Sequence, residues 1–277
     1  MRIDSHQHFW IYDKQRDAWI NEDMQPVIGK DFLPNDISSI LKQSKIDGTV
    51  AVQASESEDE TKFLVELSKV YALIKGVVGW IDLHDENLDS RLDYWSNESV
   101  VKGFRHVIEG EPKGDYLMQN TFQRGLTKLS EKGYTYDLLI RPKHFQSTLD
   151  CVAKQSNLTF VLDHMAKPNI AENQYDDWAS FIKELAKFPN VHCKLSGIVT
   201  EAKWNNWQVE DLKPYVDFTL ESFGAERVLY GSDWPVCTLS SSYEQWVNAV
   251  ESLIGELSES EQKMIWGGNA IRVYNLK

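Results

Sequence analysis

The chain opens with Met1-Arg2-Ile3-Asp4-Ser5-His6-Gln7-His8-Phe9-Trp10, and residues 2–9 of this stretch read as a short strand. Side chains alternate between the two faces of a strand, so His6 and His8 point the same way, about 6–7 Å apart. Two imidazoles on one side of a strand can hold a metal ion or a bound carbonyl group. We expect Asp4 to be a structural hydrogen-bonding residue below them. The pair gains a function only if distant residues converge on the same place.

Seven further runs of the same kind follow along the chain. They are short and largely apolar, as expected for strands buried on both faces of a parallel sheet. Their ranges are Gly48–Ala54, Lys75–Asp82, Val101–Ile108, Tyr134–Ile140, Leu158–Met165, Val191–Gly197 and Arg227–Asp233. Segments with helical periodicity lie between them, and the strand spacing of roughly 25–45 residues suits βα units.

This order predicts an α/β protein, a single (β/α)8 TIM barrel that occupies residues 1–277 as one domain. The alternative is an open doubly wound sheet, but no G-x-G-x-x-G or Walker pattern follows any of the strands. Residues 11–34 are too long for a simple βα turn, so we expect a loop that partly covers the barrel mouth. Ser258 and Glu261 form a capping-box pattern that predicts the start of a last helix.

Composition excludes several classes of partner. The 277 residues carry a formal net charge of −13, which repels phosphate backbones and anionic lipid, so neither nucleic-acid nor membrane partners are expected. The three cysteines, Cys151, Cys193 and Cys237, form no Cys-x-x-Cys motif and suit a reducing compartment. With no leader-like segment and no long apolar run, we expect a cytoplasmic protein.

Polar residues gather where the predicted strands end, which is the end of a barrel that carries the chemistry. Five of the seven histidines lie at or just past such an end: His6, His8, His84, His106 and His164. The other polar residues at these positions are Gln53, Asp82, Arg105, Asp137, Arg141, Asp163, Lys167, Lys194, Ser196 and Asp233. This clustering predicts a functional histidine site.

Single residues of this set carry different expectations. Asp233 is expected to be functional, and so is His164. Asp163 alternates away from His164, so we expect it to pair with the backbone or a helix. For Arg105 and Lys194 two roles remain: each either binds the substrate or forms a structural ion pair across the barrel.

Seven motifs together resemble the amidohydrolase superfamily and, within it, the sugar-acid lactonases of the L-fuconolactonase and L-rhamnonolactonase type. The match runs through the whole chain in order, and the 2-pyrone-4,6-dicarboxylate lactonases are a more distant likeness. The motifs are Asp4–Trp10, Val52–Ala54, Gly103–His106, Leu162–Pro168, Cys193–Gly197, Tyr230–Val236 and Gly268–Ala270.

The resemblance implies a TIM-barrel hydrolase that works either with one metal ion or without metal. His6, His8, His164 and Asp233 either hold one divalent ion such as zinc or act without metal as hydrogen-bonding groups. Members with two metals carry a bridging Lys or Glu on strand four and a histidine on strand five. Here the fourth strand has Arg105 and the fifth has no histidine, so a two-metal site is not expected.

Lactone hydrolysis requires a base for water, a group that polarises the carbonyl, and an acid for the leaving oxygen. We expect Asp233 to be the base and then the acid, with His6, His8 and His164 polarising the carbonyl directly or through one divalent ion. The expected partner is then a small sugar lactone. The oligomeric state is left undecided, and a homo-oligomer is one possibility. The residues expected to hold the substrate are Arg105, His106, Lys194, Gln53, Trp10, Tyr12 and Trp234.

Two other functions remain open at this stage. A metal-dependent decarboxylase acting on a small carboxylic acid would use similar His-x-His and Asp residues, but it would need a basic clamp for the carboxylate. A non-catalytic carbohydrate-binding barrel would have no use for a carboxylate base among imidazoles.

Overall fold

The computed structural model describes residues 1–277 and contains eight parallel strands, each paired with the next along the chain. The predicted TIM barrel is therefore confirmed, and every predicted run contains or overlaps an observed strand. The strands are β1 (Ile3–Gln7), β2 (Gly48–Val52), β3 (Ile74–Gly79), β4 (Val101–His106), β5 (Thr135–Leu138), β6 (Phe160–Leu162), β7 (Val191–Leu195) and β8 (Val228–Tyr230). Most predicted runs extend beyond the carboxyl ends of these strands, because the buried residues there leave the sheet to build the site.

The barrel closes between β1 and the residues that follow β8. Gln7 and Trp234 form an isolated parallel bridge. The His8 N–H donates to the Trp234 carbonyl at 2.7 Å, and the Asp233 N–H donates to the His6 carbonyl at 2.7 Å. The seam of the barrel thus joins the His-x-His segment directly to Asp233.

Eleven α-helices surround the strands. They are α1 (Gln25–Ile28), α2 (Pro34–Gln43), α3 (Glu58–Val70), α4 (Leu88–Trp95), α5 (Asn120–Lys132), α6 (Phe145–Lys154), α7 (Asp176–Leu185), α8 (Val209–Phe223), α9 (Tyr243–Leu253), α10 (Glu259–Lys263) and α11 (Asn269–Val273). Side-chain caps fix several starts: Ser57 accepts from the Glu60 N–H in α3, and the capping box of Ser258 and Glu261 in α10 is confirmed.

Short 3₁₀ turns and one π-helical turn complete the connections. The 3₁₀ turns are Ile108–Gly110, Tyr116–Met118, Pro142–His144, Ile170–Glu172, Ile198–Thr200, Ala225–Arg227 and Val236–Leu239, the π turn is Met264–Gly268, and Asp163–Ala166 forms a turn with left-handed residues.

The segment 11–34 folds back over the end of β1. Trp10 pairs with Phe32 in an antiparallel bridge, and the Trp10 Nε1 donates to the Lys30 carbonyl at 2.8 Å. The Trp10 and Trp19 rings meet edge to face with centroids 5.8 Å apart. The segment contains only the short helix α1, and aromatic packing holds it against the barrel mouth.

Two hydrophobic clusters form the core. The larger holds 68 buried residues from the strands and the surrounding helices. The smaller one joins residues of five strands to Ala270, Tyr274 and Leu276 of the C-terminal segment.

None of the helices combines the length and the apolar character needed to cross a bilayer.

One buried histidine on β7 makes stability depend on pH. Burial, with Arg272 and Arg227 nearby, lowers the pKa of His192 to about 4. Its pKa is about 6.5 when unfolded, so stability falls as the pH drops below 6.5 and the loss is complete below 4. His192 should therefore cost about 2 kcal/mol between pH 7 and pH 5. Urea unfolding at both pH values should show that much less acid sensitivity in His192→Gln; equal sensitivity would contradict this.

Candidate active site

A cavity of about 790 Å³ opens at the carboxyl ends of the strands. His8, His164, Asp233 and Arg105 line it, so chemistry-bearing residues from β1, β4, β6 and β8 converge as expected for this fold. The covering segment also contributes to the lining, through Arg16, Trp19 and Met24.

Three imidazoles surround the carboxylate of Asp233. The Nε2 atoms of His8, His6 and His164 lie 3.2, 3.7 and 3.9 Å from Asp233 Oδ1. The Nε2 atoms of His6 and His8 are 3.1 Å apart. The ligand atoms of His6, His8 and Asp233 thus face a common point, with His164 approaching Asp233, and all four residues are at least nine-tenths buried.

Hydrogen bonds at the opposite ring nitrogens orient the imidazoles. The Nδ1 atoms lie 2.8 Å from the Val52 carbonyl in His8, 2.9 Å from Ser196 Oγ in His164 and 3.2 Å from Asp163 Oδ1 in His6. A proton on Nδ1 leaves the Nε2 lone pair free to face Asp233.

Unusual backbone conformations place two of these residues. His164 and Asp233 both lie in the left-handed region, with φ of 52° and 60°. Gly197 also has a positive φ, of 64°, and a Cβ at this position would lie 2.4 Å from His164 Nδ1. Glycine is required at 197 both by its backbone conformation and by the close approach of the imidazole.

Burial keeps the imidazoles of His6 and His164 neutral, and the carboxylate of Asp233 stays charged. Burial lowers the pKa of His164 to about 4, although Asp233 opposes this shift. Burial also holds the pKa of His6 well below its usual value. Burial alone would raise the pKa of Asp233, but the adjoining His164 and His8 imidazoles hold it below its usual range. At neutral pH the centre therefore offers nitrogen lone pairs and one carboxylate.

His6, His8 and Asp233 fit a single divalent ion, since their ligand atoms lie within 4.8 Å of one another, and His164 is the candidate fourth ligand. Zinc bonds of about 2.0–2.1 Å put neighbouring ligand atoms about 3.4 Å apart in a tetrahedron. The separations of 3.1 to 3.7 Å among His6, His8 and Asp233 lie close to that value, and imidazole nitrogens with a carboxylate oxygen suit zinc. In a metal-free site, Arg105 Nη1, which lies 3.4 Å from His6 Nε2, would donate to that nitrogen instead.

A buried charge network lies beneath this centre and corrects the expectation for Asp163. Its carboxylate does not turn to the backbone or a helix: it contacts His6, Arg105 Nη1 at 3.0 Å and Lys194 Nζ at 3.0 Å. Strand β6 ends at Leu162, and the left-handed turn that follows breaks the alternation on which the expectation rested.

Lys194 belongs to the same network and not to the cavity. It is fully buried, and its Nζ lies 2.6 Å from Asp137 Oδ2 and 3.1 Å from His6 Nδ1. The Tyr274 hydroxyl donates to Asp137 from the C-terminal segment. Lys194 does not line the cavity, and its expected contact with substrate stays a prediction.

Five other residues expected to hold the substrate do not line the cavity. His106 lies between Glu56 and Glu111, at 2.9 and 2.8 Å, and stacks on the Tyr116 ring. Charge pairing of this kind depends on loop positions that strand periodicity does not give. The remaining four are Gln53, whose Nε2 donates to the Arg105 carbonyl, Tyr12, which accepts from Gln25, and Trp10 and Trp234, which pack on Phe32.

Six charged residues that received no role from the sequence do line the cavity: Arg16, Glu56, Glu109, Arg141, Lys167 and Glu201. Arg141 and Lys167 lie just past the ends of β5 and β6, so their positions were a usable signal. Glu109 lies within a 3₁₀ turn and Glu201 directly follows one. The sequence periodicity of strands and helices therefore gives no sign of either residue.

Comparisons with known proteins identify the family of this chain. A family model described as Amidohydrolase matches residues 3–276. A protein of Burkholderia multivorans named L-fucono-1,5-lactonase is 37% identical over 287 residues, covering 100% of this chain and 96% of that protein. A protein of the same name from Burkholderia ambifaria is 30% identical over 279 residues, covering 99% and 96%.

One solved structure is also very similar. An amidohydrolase from Burkholderia multivorans with bound zinc superposes with a TM-score of 0.96 at 37% identity, covering 100% of both chains. The resemblance found in the sequence motifs is therefore confirmed.

Proposed function

The chain belongs to the amidohydrolase family, and on that premise we propose that it opens the ring of a sugar-derived lactone. The observation that carries the proposal is a carboxylate held among three imidazoles at the floor of a cavity. L-Fucono-1,5-lactone is the first substrate to test, because two relatives of at least 30% identity carry that name.

Asp233 is the base in this proposal. Three other carboxylates line the cavity, and each already pairs with a cation: Glu56 with His106, and Glu109 and Glu201 with Arg141. Asp233 alone among them faces neutral imidazoles. It accepts the proton of the attacking water while the water oxygen bonds to the lactone carbonyl carbon. When the ring C–O bond breaks, Asp233 returns that proton to the leaving oxygen.

His6, His8 and His164 hold the Asp233 carboxylate and the carbonyl end of the substrate in register. A divalent ion bound by these four side chains would supply Lewis-acid polarisation of the carbonyl. Buried Ser196 and the Val52 carbonyl fix the ring orientations of His164 and His8. Such outer partners keep the reacting groups positioned.

The buried cations favour one ion over two. A second ion near His6 and Asp163 would meet the ammonium of Lys194 and the guanidinium of Arg105, which both contact the Asp163 carboxylate. Like charges this close in a buried site repel strongly. We therefore propose one zinc ion per chain.

The cavity also suits a lactonase better than a decarboxylase. A decarboxylase needs an uncompensated basic clamp for its substrate carboxylate, whereas Arg141 and Lys167 are both paired with Glu109.

The three buried free cysteines support a reducing compartment, and we propose that the enzyme works in the cytoplasm.

A screen of aldonolactones with a pH indicator tests the function, because ring opening releases a proton at neutral pH. We expect turnover of L-fucono-1,5-lactone, with no requirement for a second substrate. If correctly folded, fully metal-loaded protein turns over none of the aldonolactones, the proposed function is contradicted.

Metal removal is a separate prediction. Dialysis against a chelator should lower the lactonase rate at least tenfold and added zinc should restore it, because His6, His8 and Asp233 hold their ligand atoms within 4.8 Å of one another. Elemental analysis should give about one zinc per chain, and the metal-loaded protein should melt at a higher temperature. An unchanged rate in verified metal-free protein would support the metal-free site in which Arg105 bonds His6.

A further inference from the structure

Glu109, Arg141, Lys167 and Glu201 form a cluster on the cavity wall, which we term the charged quartet. Arg141 donates from Nε to Glu109 at 3.0 Å and from Nη1 to Glu201 at 2.7 Å. Lys167 Nζ lies 2.8 Å from both oxygens of Glu109. Two cations and two carboxylates are thus connected in one chain of contacts, so the quartet as a whole is electrically neutral.

Two members of the quartet, Glu109 and Arg141, have pKa values shifted toward their charged forms. Burial would raise the pKa of Glu109, but Lys167 and Arg141 hold it below its usual value. Burial would also lower the pKa of Arg141, and Glu201 and Glu109 raise it instead. The wall therefore presents fixed, compensated charges in place of a net positive patch.

Arg141 and Glu201 each have a side-chain hydrogen-bonding group without a partner in the protein. Arg141 uses Nε and Nη1, and its Nη2 forms no hydrogen bond within the protein. Glu201 accepts through Oε2 alone, which leaves Oε1 free. The Arg141 side chain is 40% exposed, the largest fraction in the quartet. An adjacent free donor and free acceptor match a pair of hydroxyls, because a hydroxyl both donates and accepts.

We propose that Arg141 and Glu201 bind two neighbouring hydroxyls of a neutral sugar lactone, and that Glu109 and Glu201 exclude lactones bearing an extra carboxylate. This inference rests on the proposed lactonase function and specifies its substrate class. An anionic substituent can only accept hydrogen bonds, so it would leave Glu201 Oε1 unmatched and would meet two carboxylates. The quartet would then both bind neutral lactones and disfavour anionic ones.

The test compares two substrates in the metal-loaded enzyme and in Glu201→Gln. L-Fucono-1,5-lactone is the neutral substrate, and D-glucaro-1,4-lactone carries the extra carboxylate. In Glu201→Gln the ratio of kcat/KM for neutral over anionic lactone should fall at least tenfold, mostly through KM. The neutral substrate loses a charge-assisted hydrogen bond, while Arg141 becomes free to attract the anion.

Two further variants separate the subsite from general charge effects. Glu56→Gln removes one negative charge from the same cavity outside the quartet and should leave the ratio within threefold of wild type. Arg141→Lys keeps the charge but cannot bridge two carboxylates, so it should weaken the neutral substrate without improving the anionic one. Equal shifts in Glu56→Gln and Glu201→Gln, or an unchanged ratio in Glu201→Gln, would overturn the proposed subsite.

A binding measurement keeps the inference testable if no lactone is turned over. Trp19 and Trp204 line the cavity, so tryptophan fluorescence can follow binding of galactose and galacturonate, which differ by one carboxylate. Wild type should prefer galactose, and Glu201→Gln should reduce or reverse that preference. Lost turnover with this preference intact would refute the lactonase proposal alone; turnover without the preference would refute the subsite alone.

Discussion

Replacing Asp233 with Asn should lower kcat/KM for lactone hydrolysis by about 10²–10⁴-fold, the range that general-base catalysis contributes. The amide cannot accept the proton of the attacking water, and no second free carboxylate is available. Glu56, Glu109 and Glu201 face the same cavity, yet each one pairs with a cation. The expected loss lies in kcat, since the site is otherwise unchanged.

The variant should fold, and the backbone explains why. Asp233 has a φ of 60°, and asparagine is among the few residues that adopt the left-handed region readily. Asparagine also brings an amide N–H that can donate to the lone pair of His8 Nε2, which lies 3.2 Å from Asp233 Oδ1. The melting temperature should therefore stay close to that of wild type, and zinc content should be measured on the same sample.

Glu56→Gln is the matched control for this experiment. It removes one carboxylate from the same cavity but leaves Asp233 and its imidazoles untouched, so its kcat should stay within a few-fold of wild type. If Asp233→Asn retains more than about a tenth of the wild-type rate, Asp233 is not the base. A loss that is accompanied by complete loss of zinc would instead assign Asp233 mainly to metal binding.

The barrel could be predicted because its strands are buried on both faces. Such strands read as short apolar runs, and their order with helices between them specifies a parallel barrel. The carboxyl ends of the runs were less well predicted. Residues such as Asp163 and Asp233 remain buried after the ladder has ended, so composition does not mark where pairing stops.

The centre of the site was also predictable, because strand ends of a barrel converge wherever they lie in the sequence. That rule brings His6, His8, His164 and Asp233 together. It fails for residues beyond the strands, since their direction depends on individual turns. Four successive left-handed residues follow Asp163 after β6, and period-two alternation cannot anticipate such a turn.

Lys194→Met should be the most destabilising single substitution that we describe. Lys194 is fully buried and is the cation that contacts both Asp137 and Asp163. Removing one partner of a buried ion pair costs about 3–5 kcal/mol, because an uncompensated charge stays behind. Asp163 would keep Arg105, at 3.0 Å, so the unpaired charge falls mainly on Asp137. Thermal unfolding should show a melting temperature lower by roughly 10 °C.

A second substitution tests whether charge or packing causes the loss. In Lys194→Met/Asp137→Asn the uncompensated charge is removed, while the new amide oxygen can still accept from the Tyr274 hydroxyl, which lies 2.8 Å from Asp137 Oδ2. The double variant should regain at least half of the lost stability, and the two changes should be strongly non-additive. Lys187→Met, which breaks an exposed pair with Glu184, should change the melting temperature by no more than about 2 °C. A double variant no more stable than Lys194→Met would mean that the methylene packing of Lys194 and not its charge holds the barrel interior together.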